Sequence, residues 1–161
     1  FALDGTYRED NIKYYNGEYK ERTVVAPGDL VLANTDMTQE RVVLGAVLRV
    51  PELADRVLFT HHVYGLRDLK LPKEFVYYLL KRSGFRERAQ GYATGTTVLF
   101  MPSEAITKLQ FRLPPDEILN EFADTAHTIF VRKEVLRKET QTLTALRDTL
   151  LPRLIAGKIE L

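Results

Sequence analysis

The last third of the chain carries large apolar residues at every seventh position. The members of this apolar column are Phe122, Ile129, Leu136, Leu143 and Leu150. A companion column three residues earlier begins with Leu119 and Ala126 and continues with polar residues. A repeat of seven predicts a long helix whose apolar stripe needs a partner helix, because one helix alone would leave the stripe in water. In the alternative, the stripe packs only onto the chain's own globular part.

The ends of this helix are predicted from prolines and acidic residues. The start is expected just after Pro114 and Pro115, where Asp116 and Glu117 place negative charge on the first turn. The end is expected at Pro152, which lacks the N–H that a helix interior needs. The helix would then have about 35 residues and a length of roughly 50 Å. Residues 114–161 are therefore predicted as a spacer, dimerisation and docking unit.

Residues 1–113 have the pattern of a small domain of strands followed by mixed elements. Segments 30–33, 41–50 and 57–66 are rich in Val and Leu and predict strands, and the polar segment 34–40 predicts a projecting loop. Further strands are predicted at 96–101 and 111–113. This order favours an irregular α+β fold with a mixed sheet.

Two short helices are predicted within the same domain. Residues 72–82 have helical spacing, with Pro72 near the start, and Ser83 with Gly84 predicts a stop. Residues 103–109 predict a second helix with Ser103 as its N-cap.

Composition excludes several classes of site. The chain has no cysteine, so disulfides, thiolate zinc sites and cysteine nucleophiles are excluded. Lys and Arg number 23 against 22 Asp and Glu, so net charge favours no class of partner. No apolar run is long enough to span a bilayer and no signal peptide is recognised, which predicts a cytoplasmic protein without a membrane partner. Because the chain begins with Phe1, it is expected to be a piece of a longer polypeptide or a processed product.

Five segments together resemble a known family. They are G-D-L-V-L-A at 28–33, T-H-H-V at 60–63, G-T-T-V at 95–98, L-P-P at 113–115 and L-R-D-T-L-L-P-R-L-I-A-G-K-I-E-L at 146–161. The set resembles one half of the specificity subunit of type I restriction-modification enzymes, from about residue 28 to the end. The Leu-Pro-x-Leu-Ile-x-Gly part of the last segment is its most specific piece.

The resemblance implies a DNA target recognition domain followed by a conserved helix that pairs with a second such helix as an antiparallel coiled coil. Two domains held apart by paired helices would read a bipartite site on double-stranded DNA. Methyltransferase subunits, which use S-adenosylmethionine, and restriction subunits would act on that DNA, while this chain would hold no cofactor. The chain departs from the family in having one recognition domain and one helix, so the partner helix is either a second copy or a second half of the same subunit.

Base reading requires amide, guanidinium and hydroxyl groups at the protein surface. Three groups of residues qualify as DNA-contacting candidates: Asn34, Thr35, Gln39 and Arg41 in the polar loop; Lys81, Arg82, Arg86, Arg88, Gln90 and Tyr92 in a basic stretch; and the hydroxyl-bearing Thr94, Thr96 and Thr97. Solvated surface charge is the alternative. The helix-pairing candidates are Leu119, Phe122, Ala126, Ile129, Leu136, Leu143 and Leu150.

Catalytic motifs are not found. There is no phosphate-binding glycine loop, nucleophile elbow or metal-binding histidine spacing, so no catalytic and no metal-ligating residue is assigned. His61 and His62 would point to opposite faces of a strand and could not readily share an ion. Two other hypotheses stay open: a protein-interaction adaptor assembled through the coiled coil, and a hydrolase built around His61 and Asp36.

Overall fold

The computed structural model describes residues 1, 7–8, 12–38, 40–53, 56–108 and 110–158, with only the backbone described at position 83. The chain divides into two compact units, Phe1–Ala123 and Asp124–Leu161. The division falls inside a helix, ten residues beyond the domain boundary expected at 113/114. The domain boundary at 113/114 stays a prediction.

The centre of the first unit is a three-stranded antiparallel sheet. Strand β2 (Leu30–Ala33) is the middle strand and is buried along its whole length, as its unbroken run of aliphatic residues predicts. It pairs with β4 (Val47–Arg49) on one side and with β6 (Val63–Leu66) on the other. The predicted strand at 30–33 is therefore confirmed.

Two smaller antiparallel pairs complete the strands of this unit. Strand β1 (Val24–Val25), which follows a 3-10 helix at Glu21–Thr23, pairs with β5 (Val57–Leu58). Strand β3 (Thr35–Asp36) pairs with β7 (Leu99–Phe100). With the helices below, these short sheets confirm the predicted α+β class.

Three helices belong to the same unit: α1 (Lys73–Lys81), α2 (Ser83–Gln90) and α3 (Glu104–Thr107). Helix α1 ends before Ser83 and Gly84, as predicted. The expected break at these two residues is wrong, because only Arg82 interrupts the helix with an extended backbone and α2 begins at the next residue. The carbonyl of Arg82 accepts the first backbone bonds of α2, from Phe85 and Arg86. Ser103 precedes α3 as expected, but its side chain makes no capping hydrogen bond.

Two apolar clusters lie on opposite faces of the central sheet, because successive side chains of β2 alternate between them. Leu30 and Leu32 belong to the larger cluster, to which both α1 and α2 contribute. Val31 belongs to the smaller cluster with Val25, Leu48 and Val50. The periodicity of the strand thus places helices on one face only.

Aromatic side chains join α1 to the start of helix α4 (Asp116–Ile155) within the first unit. The Phe122 ring meets the Phe75 ring edge-on, with centroids 6.2 Å apart, and the Tyr78 ring at 5.6 Å. Leu119 is buried one turn earlier. Edge-to-face pairs of this kind contribute about 1 kcal/mol each beyond the burial of their area.

Helix α4 has 40 residues, so it is about 60 Å long. It starts after Pro115, as predicted, but it continues through Pro152, so the predicted end is wrong. The helix ends in a glycine motif instead: Gly157 has φ +62°, its N–H donates to Leu154 O, and the next N–H donates to Arg153 O. These two bonds satisfy terminal carbonyls in the way a Schellman motif does.

Several predicted strands are shorter than expected or are not formed. Within 41–50 only Val47–Arg49 is a strand, and residues 41–46 turn. Within 96–101 only Leu99–Phe100 is a strand, and residues 111–113 form no regular element. The helix predicted at 103–109 ends at Thr107, and position 109 lies outside the described residues. In the part of the chain that the structure describes, no helix has the length and apolarity to cross a membrane.

Candidate nucleic-acid interface

Strand pairing brings together two segments that lie about 60 residues apart in the sequence. Thr35 pairs with Phe100, and Asp36 pairs with Leu99. Phe100 also forms a bridge with Thr94, whose N–H and carbonyl bond it at 2.9 and 2.8 Å. The end of β3, where the loop 37–43 begins, therefore lies beside the threonine-rich segment that precedes β7.

A buried carboxylate organises the loop that follows β3. Asp36 is only 4% exposed. Its Oδ1 accepts the N–H and the hydroxyl of Thr38 at 2.8 and 2.7 Å. Its Oδ2 accepts the N–H groups of Val43 and Leu44 at 2.6 and 3.0 Å. Four donors on one carboxylate hold the two ends of the loop 37–43 together; position 39 of this loop lies outside the described residues.

Helix α2 holds the same loop from its outer side. Arg86 donates to the carbonyls of Leu44 at 2.9 Å, Arg41 at 3.1 Å and Val42. Gln90, one turn later, donates to Arg41 at 3.0 Å and Leu44 at 2.7 Å. These bonds satisfy carbonyls that the irregular backbone leaves without ladder partners. Arg86 and Gln90 thus serve the fold of this loop.

Arg41 has an unusual backbone inside this network. Its φ is +55°, in the left-handed region that non-glycine residues rarely adopt. Its guanidinium Nη1 donates to the carbonyl of Gln90 at 3.1 Å. The bonds to Arg86 and Gln90 offset the strain, which is of order 1–3 kcal/mol for such a conformation.

Hydrogen bonding and burial in this network shift two pKa values. Burial alone would raise the pKa of Asp36, but the bonds from Thr38, Val43 and Leu44 outweigh it and hold the pKa below the ordinary value of 3.8. Burial lowers the pKa of Arg86, and the negative charge of Asp36 opposes that change. Asp36 is therefore ionised at neutral pH.

The polar residues predicted in the loop mostly have partners within the chain. Asn34 is buried, and its side-chain Nδ2 donates to His61 O at 3.0 Å, while its Oδ1 has no hydrogen-bond partner among the residues that the structure describes. The Thr35 hydroxyl lies 3.0 Å from His62 Nδ1. The expected projecting loop is therefore wrong at its first residues, because Asn34 and Asp36 face the interior. The prediction for Gln39 lies outside the described residues.

The two histidines do not lie on a strand as expected. His61 and His62 form a turn before β6, and their ring centroids are 3.8 Å apart. The argument that their side chains point to opposite faces is therefore wrong. Because the carboxylate of Asp36 is engaged by four donors of its own loop, the structure gives it a structural role and lends no support to a hydrolase centre there.

The remaining candidates of the basic stretch and the three threonine candidates are exposed. They are Lys81, Arg82, Arg88, Tyr92, Thr94, Thr96 and Thr97. Lys81 lies 3.3 Å from the Tyr77 hydroxyl. On α2, Arg88 is two residues from both Arg86 and Gln90, so it projects on roughly the opposite side of the helix from them, about 200° around its axis from Arg86. The structure thus separates residues that hold the loop from residues that face solvent.

The apolar column is exposed along the second unit. Ile129 and Leu136 are each 44% exposed and Leu143 is 65% exposed, while Leu150 is half-buried. Earlier on the helix, Leu119 and Ala126 are buried. Phe122 is 40% exposed, but its ring packs on α1. The column available to a partner helix therefore begins at Ile129.

Sequence reasoning missed the structural role of Asp36. The signal was present as Asp36-x-Thr38, because Asp side chains commonly accept the N–H two residues later. The bonds from Val43 and Leu44 had no local signal, since they depend on how the loop returns.

A comparison with curated proteins found one significant similarity. The chain is 32% identical over 87 residues to the type I restriction enzyme HindI specificity subunit of Haemophilus influenzae. The aligned part is 53% of this chain and 19% of the relative, so the chain spans about a fifth of the length of the relative it matches. No family model matches the chain.

Proposed function

We propose that this chain is a sequence-specific DNA-recognition module of a type I restriction-modification system. The observation that carries the proposal is the similarity to the HindI specificity subunit, which agrees with the family resemblance of the sequence. In this role the first unit reads one half of a bipartite site on double-stranded DNA. The chain itself is non-catalytic, needs no cofactor and acts in the cytoplasm.

The long helix has the second part of the proposed role. The exposed column at Ile129, Leu136 and Leu143 pairs with the helix of a second copy, or of a second half of the subunit, as an antiparallel coiled coil. The paired helices set the distance between two recognition units. They also present a docking surface for methyltransferase subunits and, through them, restriction subunits.

The DNA-facing residues are proposed to be the exposed members of the predicted set. Arg88 is the best test residue, because its side chain is exposed and lies away from the loop contacts of α2. Thr94, Thr96 and Thr97 are proposed to contact phosphates. Asn34, Arg86 and Gln90 are proposed to support the fold of the interface, since each donates hydrogen bonds to backbone carbonyls of the chain.

The proposal is tested by the binding of Arg88→Glu to a duplex of fixed sequence, measured by fluorescence anisotropy over a range of salt concentrations. Loss of one phosphate contact lowers affinity about tenfold and reduces the salt slope by about 1. Arg132→Glu, an exposed reversal on the second unit, is the matched control and is expected to bind as the wild type does. Equal affinity of Arg88→Glu and the wild type would contradict the placement of DNA on this face. If the wild type does not bind DNA but still forms protein complexes through the long helix, the protein-interaction adaptor is favoured.

A further inference from the structure

The pair of strands β3 and β7 carries an exposed apolar face. Phe100, opposite Thr35, is 42% exposed. Met37 and Val98 are the next residues beyond the last ladder pair, Asp36 with Leu99, and they are 82% and 41% exposed. Side chains alternate along a strand, so Phe100 lies on the face opposite to the buried Leu99. Met37 and Val98 lie in the bends that directly continue the two strands, and their exposure extends this apolar surface. We call these three residues the ribbon face.

The ribbon face is held by a fixed backbone. Met37 lies between Asp36 and Thr38, which are joined by two hydrogen bonds of 2.8 and 2.7 Å. On the other strand, Gly95 has φ +114°, and a Cβ at this position would lie 2.2 Å from the carbonyl oxygen of Val98. Only glycine allows this tight approach. The exposed position of Met37 therefore follows from bonded structure on both of its sides.

Three polar side chains beside the ribbon face are already engaged within the chain. The Thr38 hydroxyl donates to Asp36, the Arg41 guanidinium donates to Gln90 O, and the Thr35 hydroxyl lies within bonding distance of His62. Met37 is 82% exposed in the same loop, where Glu40 is also exposed and position 39 lies outside the described residues. Met37 therefore offers an apolar contact at the surface of this loop.

Resting on the function proposed above, we propose that the ribbon face enters the major groove of DNA and that Met37 contacts the 5-methyl group of thymine. The major groove admits a two-stranded β-ribbon, and the thymine methyl is the one apolar group that a base presents there. Residues 94–101 contain no acidic side chain, and Thr94, Thr96 and Thr97 are exposed along the same segment. The apolar side chains of the face and the hydroxyls beside it match the two kinds of group that the groove presents, thymine methyls inside it and phosphates along its borders.

The test is a selection of binding sites from a randomised duplex pool, followed by affinity measurements on the enriched duplex. Met37→Ala is expected to lower the preference for thymine at one or two adjacent positions about tenfold. Its affinity for a fixed duplex without the motif, which reflects phosphate contacts, should be unchanged. Met37→Leu, which keeps an apolar side chain, should retain most of the preference. Tyr14→Ala is the control, because Tyr14 is 81% exposed and lies outside the ribbon face.

Replacing thymine by deoxyuridine in the enriched duplex removes only the methyl group and so tests the contact itself. The replacement should weaken wild-type binding about tenfold and leave Met37→Ala binding unchanged. Equal weakening of both proteins, or an enriched motif that Met37→Ala leaves unaltered, would overturn this inference alone. An unaltered motif with weaker binding to a methyltransferase subunit would assign the ribbon face to a protein partner, which also overturns it. A wild type that enriches no motif would overturn the proposed function as well.

Discussion

The loop 37–43 and the part of helix α4 in the second unit place their side chains in opposite ways. In the loop region, polar groups are turned inward, and Asp36 accepts four hydrogen bonds while nearly buried. On the helix, apolar groups are turned outward, and Leu143 is 65% exposed. The difference shows that polarity alone does not separate fold residues from binding residues. What separates them is whether a partner atom exists within the chain.

The largest expected effect follows from removing the charge of Asp36. Asp36→Asn keeps the size of the side chain but places an NH₂ group against backbone N–H donors, so one or two buried N–H groups lose their acceptor. The free energy of unfolding should fall by about 3 kcal/mol. Urea unfolding followed by circular dichroism measures it. Asp148→Asn, an exposed change on α4, should cost less than about 0.5 kcal/mol, and equal losses in the two variants would contradict the role of Asp36.

A smaller loss is expected at Arg86 than at Asp36, because water can reach part of the Arg86 site. Arg86→Met keeps the aliphatic part of the side chain and removes the donors to Leu44, Arg41 and Val42. The free energy of unfolding should fall by about 2 kcal/mol. Arg88→Met is the matched control on the same helix and should be nearly neutral. If the control loses as much as Arg86→Met, the loop contacts do not contribute to stability.

Acid should weaken the loop region more than the helix. The pKa of Asp36 is lowered in the folded state, so its contribution to stability is fully present above its unfolded value, near 3.8, and is lost as pH falls through the folded pKa. Asp29, which bonds Lys73 at 2.7 Å, also has a lowered pKa and adds to the effect. Stability measured between pH 6 and pH 2 should fall less steeply in Asp36→Asn. Parallel curves would show that Asp36 is not responsible for the acid loss.

The smallest effect on folding is expected at the apolar column. Leu136 and Leu143 are exposed, so replacing both by Asp should change the free energy of unfolding of the monomer by less than about 1 kcal/mol. The same change should convert an oligomer into monomers in sedimentation experiments, because two carboxylates would enter the proposed helix pair. Persistence of the same oligomer would count against the assignment of the column.

The sequence predicted regular features better than irregular ones. The fold class, strand β2, helix α1 and the start of α4 follow from aliphatic runs, helical spacing and proline positions. The end of α4 was assigned to Pro152 because proline usually stops helices, yet this proline lies in the last turn and Gly157 makes the terminal bonds. Strands β3 and β7 are too short to give a periodic signal, and they are the elements that bring the candidate segments together.

The candidate residues were predicted by chemical type, and the structure divides them by environment. Arg86 and Arg88 are equivalent in a sequence, but their positions on α2 give one a set of backbone carbonyls and the other a solvent-facing place. No local pattern could separate them, since the carbonyls come from a loop more than 40 residues earlier. Met37 was not selected, because a lone methionine in a polar segment has no distinctive spacing.

The most direct test of the account is methylation of random-sequence DNA by a methyltransferase subunit of the type I class in the presence of this chain. Modified sites are located by sequencing. The account predicts a split motif, symmetrical if two copies of the chain pair through their helices, and a different motif or none with Met37→Ala. Random or absent modification by proteins shown to associate would contradict the claim that this chain reads DNA sequence.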